Sequence, residues 1–367
     1  EENCIHLQMR NKSITIIPKQ LMKKVLWTIL ILFSALTSAV AQTNAITSDE
    51  DSTIAVIAFF NKNDSIEYSY SKTETKISDS DTTRTSGVEA QFRIVVLDST
   101  SKGYRLEYTP LSWKADNETD SVKSGIKLEA KSQTPAIFTT DEFGEIQHLE
   151  NWRTIRDKAL PVITKFLDDQ YEKNPGIDSI MPKKNLASLL KLGFITEDAA
   201  KGLYGDFTTM FTLNGSAYNI GITNTTDSSA GYPVNISLLA TYEEPDTADE
   251  NSYPGDYNIR YNALVTIPAS EVQELTSSLL GALLSKELSD KADEVIDDSL
   301  DVPMEVRELT DYHFFLNGWP KLVRKQTIIS LGKETGKVTT ETIEWNRYRW
   351  NEPQNAIDDT NNSAVSL

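Results

Sequence analysis

Among 367 residues the chain has one cysteine, Cys4, and three histidines. A single cysteine cannot close an intramolecular disulfide, and its position leaves everything after it without a thiolate nucleophile or a cysteine-based metal site. Only His148 and His313 lie beyond residue 41, so the commonest general base and metal ligand is scarce. Basic residues are also in deficit: 36 Lys and Arg against 54 Asp and Glu give a formal net charge of −18. Such a field repels nucleic acid and anionic lipid, both of which are held by Lys and Arg neutralising phosphate, so no nucleic-acid partner is expected. There is no Gly-rich phosphate loop, no Gly-x-Ser-x-Gly elbow and no His-Glu-x-x-His helix. Catalytic residues, a cofactor site and a metal site are therefore all unassigned from motifs.

Long apolar runs are equally rare. The one prominent run follows Met22-Lys23-Lys24 and extends from Val25 to Val40, ending in the small-x-small pair Ala39 and Ala41. A basic start, a short apolar stretch and small residues at the end form the pattern of a secretory signal peptide over 22–41, with cleavage between Ala41 and Gln42. Thr28, Ser34, Thr37 and Ser38 interrupt a run that falls short of the roughly twenty apolar residues of a spanning helix. No membrane span is expected after processing. Residues 1–21 read as a translated extension ahead of the true start at Met22. The leader and extension carry three more bases than acids, so their loss takes the net charge to −21. No cysteine stands at the cleavage point to carry a lipid. An acidic, exported chain without disulfides fits the bacterial periplasm or cell surface.

From Thr53 the pattern has period two, with Ile66, Tyr68 and Tyr70 alternating against Glu67, Ser69 and Ser71. Strands are expected at 88–97, 104–113, 125–131, 136–139 and 146–149, with tight turns at 99–103 and Asp141-Glu142-Phe143-Gly144. At Asn151 the period changes. Trp152, Ile155, Ala159, Ile163 and Phe166 recur at helical steps, with Asn151 as N-cap and Pro161 expected to kink or divide the helix. Shorter helices are expected at 186–192 and, opened by Thr196, at 197–203. Strands return at 207–213, 218–222, 234–242 and 258–267. A helix follows, from Val272 to Val295, with Ser270 and Gln273 as a capping box. Hairpins at 304–315, 321–330 and 337–350 complete the sheet, ahead of a polar tail at 351–367. This is an α+β pattern: curved antiparallel sheet packed against amphipathic helices, in one domain or in two lobes divided near residues 175–205.

Candidate chemistry is thin. His148-Leu149-Glu150 on a strand would place imidazole and carboxylate on one face, but two groups do not make a zinc site. His313 reads as a strand residue. Asp297, Asp298 and Asp301, or Asp246, Asp249, Glu250 and Asp256, offer oxygen ligands without the spacing of a calcium loop, and read as solvated loops. Trp345, Tyr348 and Trp350 could stack on a flat ligand, strict alternation placing Trp345 on the face opposite the other two.

One pattern exceeds what composition predicts. Asp followed by Ser or Thr and then by Ala, Ile, Leu, Val, Met or Thr occurs at Ser52, Ser65, Thr82, Ser99, Ser121, Ser179, Thr247 and Ser299. It resembles the O-glycosylation acceptor motif of exported Bacteroidetes proteins, although Asp-Ser and Asp-Thr are also ordinary turn formers. The lysine-led leader, the run Thr139-Thr140-Asp141-Glu142-Phe143-Gly144-Glu145-Ile146 and the later Asn317-Gly318-Trp319-Pro320 together resemble secreted Bacteroidetes proteins grouped as domains of unknown function. An Asp-x-x-Gly hairpin before an amphipathic helix is similar, more distantly, to periplasmic lipoprotein-carrier proteins. That resemblance implies a curved sheet closing over helices around an apolar cavity. The expected function is an exported non-enzymatic protein whose partner is an apolar small molecule held between sheet and helices. The alternatives are a cell-envelope structural or interaction protein and a glycan-acting hydrolase. The sequence carries no signal of oligomeric state.

Overall fold

The computed structural model describes residues 52–78, 81–116, 131, 134–192, 194–228, 232–244, 254–290, 302–332 and 335–349. The extension, the leader with its Ala41–Gln42 junction and the tail lie outside these residues. The strands are β1 (Thr53–Ala55), β2 (Ser65–Ser78), β3 (Asp81–Thr100), β4 (Gly103–Ala115), β5 (Ala136–Thr140), β6 (Ile146–Leu149), β7 (Ala217–Asn219), β8 (Gly221–Asp227), β9 (Val234–Tyr242), β10 (Tyr257–Ile267), β11 (Met304–Phe314), β12 (Pro320–Leu331) and β13 (Thr335–Arg349). Eleven of them form one open sheet in the order β6-β5-β4-β3-β2-β13-β12-β11-β10-β9-β8, and β1 pairs with β7 in a second sheet. Every neighbouring pair is antiparallel. The long central pair, β2 with β13, joins the opening meander to the closing one. The sheet therefore continues across strands from both sides of 175–205.

The α+β expectation holds, and the expected strands β2 to β6 and β9 to β13 form, β3, β4 and β12 extending beyond the expected ends at both sides. The helices are α1 (Trp152–Lys173), α2 (Ile177–Ile180), α3 (Lys183–Leu192), α4 (Glu197–Lys201), α5 (Gly205–Met210) and α6 (Ala269–Leu283). Thr196 caps α4 as expected, its side chain accepting from the Ala199 N–H at 3.1 Å.

Several local expectations fail for identifiable reasons. Residues 207–213 are helix and turn, because Phe207, Met210 and Phe211 recur at helical steps and are all buried. Pro161 does not divide α1; it lies on the exposed side of a continuous helix, where its missing N–H removes one helical bond at the surface rather than in the core. The Asn151 side chain makes no cap: its Oδ1 accepts from Ile137 N–H at 2.9 Å and its Nδ2 donates to the Pro135 carbonyl at 2.8 Å, fastening the helix start to β5. Helix α6 begins after Pro268 without a side-chain cap and stops at Leu283, so the Ser270 box is not formed and the stripe towards Val295 is broken at Leu284. Lys131, the described residue of the stretch expected as strand 125–131, is helical.

The two motifs behind the family resemblance prove to be neighbours. Residues 54–60 alternate, with Ile54, Val56, Ala58 and Phe60 buried and Phe59 63% exposed. This strap crosses the loop end of the large sheet. Ala58 N–H donates to the Phe143 carbonyl at 2.9 Å and Phe59 N–H to the Asn317 carbonyl at 3.0 Å. Asp141 Oδ1 holds the first hairpin by accepting from the Phe143 and Glu145 N–H groups at 3.0 and 2.9 Å. At the second, the buried Trp319 ring stacks on Phe60 with centroids 3.8 Å apart. Gly318 has φ +80, and a Cβ there would lie 2.2 Å from the Ile57 carbonyl oxygen, so the strap needs a glycine under it.

These contacts rank three substitutions. Trp319→Ala should cost about 3–5 kcal/mol of stability. Gly318→Ala should cost more than about 1 kcal/mol. Phe59→Ser should stay within about 0.5 kcal/mol of wild type. Urea unfolding midpoints at constant slope measure all three, and an undisturbed Gly318→Ala protein would contradict the seat described.

Candidate functional site

Register places the chemistry on one face of the large sheet. The row Tyr70, Ile343, Val323, Tyr312, Ile259 and Ala240 packs with Tyr204, Phe207 and Phe211 in one core. One step further along the strands the same face reads Lys72, Glu341, Lys325, Thr310, Tyr261 and Leu238. The next row reads Glu74, Thr339, Thr327, Glu308, Ala263 and Ile236. The face is thus charged over β2, β13, β12 and β11 and turns apolar over β10 and β9. Period-two alternation dictates the face, while antiparallel pairing decides which charges meet.

The charges meet in opposite pairs. Lys337 Nζ lies 3.0 Å from Glu74 Oε1, and Lys72 Nζ lies 3.5 Å from the same oxygen and 4.0 Å from Glu341. Tyr70 donates to Glu341 Oε1 at 2.6 Å, and Lys325 lies 2.7 Å from Glu308 Oε2. Burial alone would raise the Glu74 carboxyl, but Lys72 and Lys337 overbalance it and hold it below its ordinary range. Burial, then the Glu341 charge, push the Tyr70 phenol well up. Lys337 is almost fully buried, whereas the Lys72 and Glu341 side chains stay 33% and 31% exposed, so water reaches the middle of the belt.

A second cluster adjoins it. Lys131 Nζ lies 2.6 and 2.7 Å from the two carboxylate oxygens of Asp206 in α5, and the side chains are only 3% and 9% exposed. Tyr108 donates to Asp206 Oδ2 at 2.8 Å, and Nζ sits 5.2 and 5.1 Å from the Tyr108 and Tyr204 ring centroids. Burial, then Asp206, raise the Tyr108 phenol well above its ordinary value. Neither Lys131 nor Asp206 stands out in sequence; one sits among many lysines and the other among many acids.

The sequence candidates fall elsewhere. His148 is exposed, with Nδ1 3.3 Å from Glu197, while Glu150 forms a bidentate pair with Arg105 at 2.6 and 2.8 Å. His148 and Glu150 therefore do not act as a pair. His313 Nδ1 lies 2.8 Å from Glu243 Oε1, and Lys321 bridges Glu243 and the buried Asp256 at 3.4 and 3.7 Å. Asp256 accepts from the Leu316 N–H at 3.0 Å, which makes it a loop anchor. The other acids considered for calcium lie outside the described residues. Among the described residues no group of three or more His, Cys, Asp or Glu could hold a metal. Trp345 packs edge-on against Phe315 at 5.4 Å. A bulge between Trp345 and Arg347 sets Trp345 opposite Tyr68 and Tyr348 opposite Ile66, so strict alternation does not survive there.

Of the Asp-Ser/Thr positions, Ser52, Thr82 and Ser179 are exposed, Ser65 and Ser99 are half-buried, and Ser121, Thr247 and Ser299 lie outside the described residues. Ser65, Thr82 and Ser99 stand in strands rather than loops, and Ser99 Oγ donates to the Phe60 carbonyl at 2.9 Å. Open concavities occur among the described residues. One of about 460 Å³ includes Glu89, Trp113, Lys114 and Glu344, with Lys114 2.8 Å from Glu89. One of about 490 Å³ lies over β8 to β11, and one of about 650 Å³ lies along α1.

No family model and no curated protein matches the chain. Among solved structures it is similar to lipovitellin, studied for lipid–protein interactions, with a TM-score of 0.40 and 7% identity over 79% of this chain and 26% of that one. It is also similar to DynF, from the dynemicin biosynthesis pathway of Micromonospora chersina, with a TM-score of 0.20 and 5% identity over 85% of this chain and 93% of that one. The chain spans about a quarter of the lipovitellin chain's length. Likenesses this weak carry no functional weight.

The stability that the belt contributes depends on pH. Glu74 titrates lower folded than unfolded, so its contribution is present at neutral pH and lost as pH falls through the depressed value. Lys337→Met should cost about 3–5 kcal/mol at neutral pH, by leaving buried carboxylate charge undercompensated. The cost should shrink once acid protonates Glu74. Urea unfolding of both proteins across that range checks it; a pH-independent difference would contradict it.

Proposed function

We propose that the protein is an exported, non-enzymatic carrier that holds an amphiphilic small molecule against the belt-bearing face of its large sheet. One observation supports this above the rest: a charged patch that water reaches, at Lys72 and Glu341, adjoins the buried apolar cluster of Val234, Ile236, Tyr261 and Ala263 on the same face. A polar head would exchange water for the charged groups, while a hydrocarbon tail inserted beside β9 and β10 would gain about 25 cal/mol per Å² of its own apolar area taken out of water. A globular core alone needs no such charges, since paired buried ions are often no better than well-packed apolar residues. Export rests on the leader at 22–41. No described helix is long and apolar enough to cross a membrane.

A fluorescent fatty acid titrated into the full chain should bind saturably and be displaced by unlabelled amphiphiles. Ala263→Trp, which fills the apolar end, should weaken binding about tenfold, equivalent to about 1.4 kcal/mol. Absence of saturable binding, together with native mass spectra free of retained ligand in protein from its own host, would sink the proposal.

A second reading, a cell-envelope interaction protein, is favoured by the loop end. Phe59, Phe143, Leu316 and Tyr242 are all exposed there, on four separate loops and strand ends. Mixing the protein with envelope fragments of its host should then slow amide exchange over 57–60 and 315–318. Unchanged exchange would remove this reading.

A further inference from the structure

The chain has one cysteine and therefore no means of stapling itself through sulfur. It does, however, hold an amine and a carboxyl in contact, out of water, between segments 75 residues apart in sequence. From this geometry we infer that Lys131 and Asp206 condense into an intramolecular amide, a covalent cross-link between the residue leading into β5 and the start of α5.

Three features of the site favour bond formation over a lasting ion pair. The first is proximity: Nζ is 2.6 and 2.7 Å from the two oxygens of the carboxyl it would attack, so the entropy of bringing the groups together is already spent. The second is the surroundings. Tyr108 and Tyr204 lie edge-to-face at 5.5 Å, Phe138 meets Tyr204 edge-on at 5.7 Å and Phe207 stacks on Phe138 at 4.2 Å, which closes the pair inside a buried aromatic box. Bulk water, whose attack would reverse the condensation, is kept from the pair there, since the two side chains are only 3% and 9% exposed. The two tyrosine rings hold Nζ in place from 5.2 and 5.1 Å. The third is a donor: the Tyr108 hydroxyl points at Asp206 Oδ2 from 2.8 Å, where negative charge gathers as the carbonyl carbon is attacked.

The step balances without an external reagent. One proton passes from the Lys131 ammonium to Asp206 Oδ1, giving amine and carboxylic acid. The amine lone pair forms the Nζ–Cγ bond, and the displaced electron pair rests on Oδ2 against the Tyr108 hydroxyl. Collapse breaks the Cγ–Oδ1 bond, and Oδ1 leaves as water after taking a second proton from Nζ. Oδ2 remains as the amide carbonyl, and nothing is oxidised or reduced. The product removes two buried charges and leaves one N–H and one C=O. It does not depend on the carrier reading, since no ligand takes part.

The test is mass spectrometry of the full chain from a host that adds no glycans. Intact wild-type protein should weigh about 18 Da less than its processed sequence, one water lost in the condensation. Lys131→Arg and Asp206→Ala should each match their own sequences. Trypsin should release one species joining residues 128–153, uncut after Lys131, to residues 202–260. A wild-type mass without the deficit, or a deficit with no joined peptide, would overturn the inference; since both readouts come from wild type, a variant that fails to fold does not blur them.

Discussion

Charges taken out of water on the packed face of the large sheet must be answered by charges on the adjoining strands, and this constraint organises the molecule. Lys72 and Glu74 on β2 meet Glu341 and Lys337 on β13, and Lys325 on β12 meets Glu308 on β11. A slip of one residue would turn each of these side chains to the other face and strand its partner. The pairs thus help to specify the register of the central strands, where the opening and closing meanders join. Their net contribution to stability is smaller than their number suggests, because desolvation offsets much of each attraction.

Away from the belt, packing is conventional and aromatic. The strap at 54–60 fills the loop end, and Phe60 links Tyr104, Phe211 and Trp319 into one cluster. Gly144 and Gly318 permit the approach: a Cβ on the first would sit 2.5 Å from Ala58 Cβ, and one on the second would meet the Ile57 carbonyl. Two loops distant in sequence are therefore constrained by the same short segment. That common contact gives a physical reason for the Asp-Glu-Phe-Gly and Asn-Gly-Trp-Pro runs, independent of any resemblance.

Much of the fold was legible because its signals are local. Alternation at Ile66, Tyr68 and Tyr70 marked β2, and three- and four-residue steps from Trp152 marked α1. Local signals also misled. Phe207 to Leu213 is apolar enough for a strand, yet its aromatics are held in a helical turn against Tyr108 and Phe138. The chemistry was much less legible than the fold. Glu74 and Lys337, or Lys131 and Asp206, lie far apart along the chain, and only strand order and helix docking bring them together. The candidates that sequence did suggest were conspicuous for rarity, such as His148, or for clustering, such as the acidic loops; neither property reports burial or contact.

Under the proposed carrier function the belt-bearing face is partly hydrated at Lys72 and Glu341, adjoins the buried apolar cluster around Tyr261 and accepts an amphiphile between them. The most direct measurement is a high-resolution crystal structure of protein taken from its own host without delipidation. The account predicts ordered water around Lys72 and Glu341 and elongated density running from them over Tyr261 and Ala263. A dry interior, packed solid by the protein's own side chains across the same rows, would contradict it.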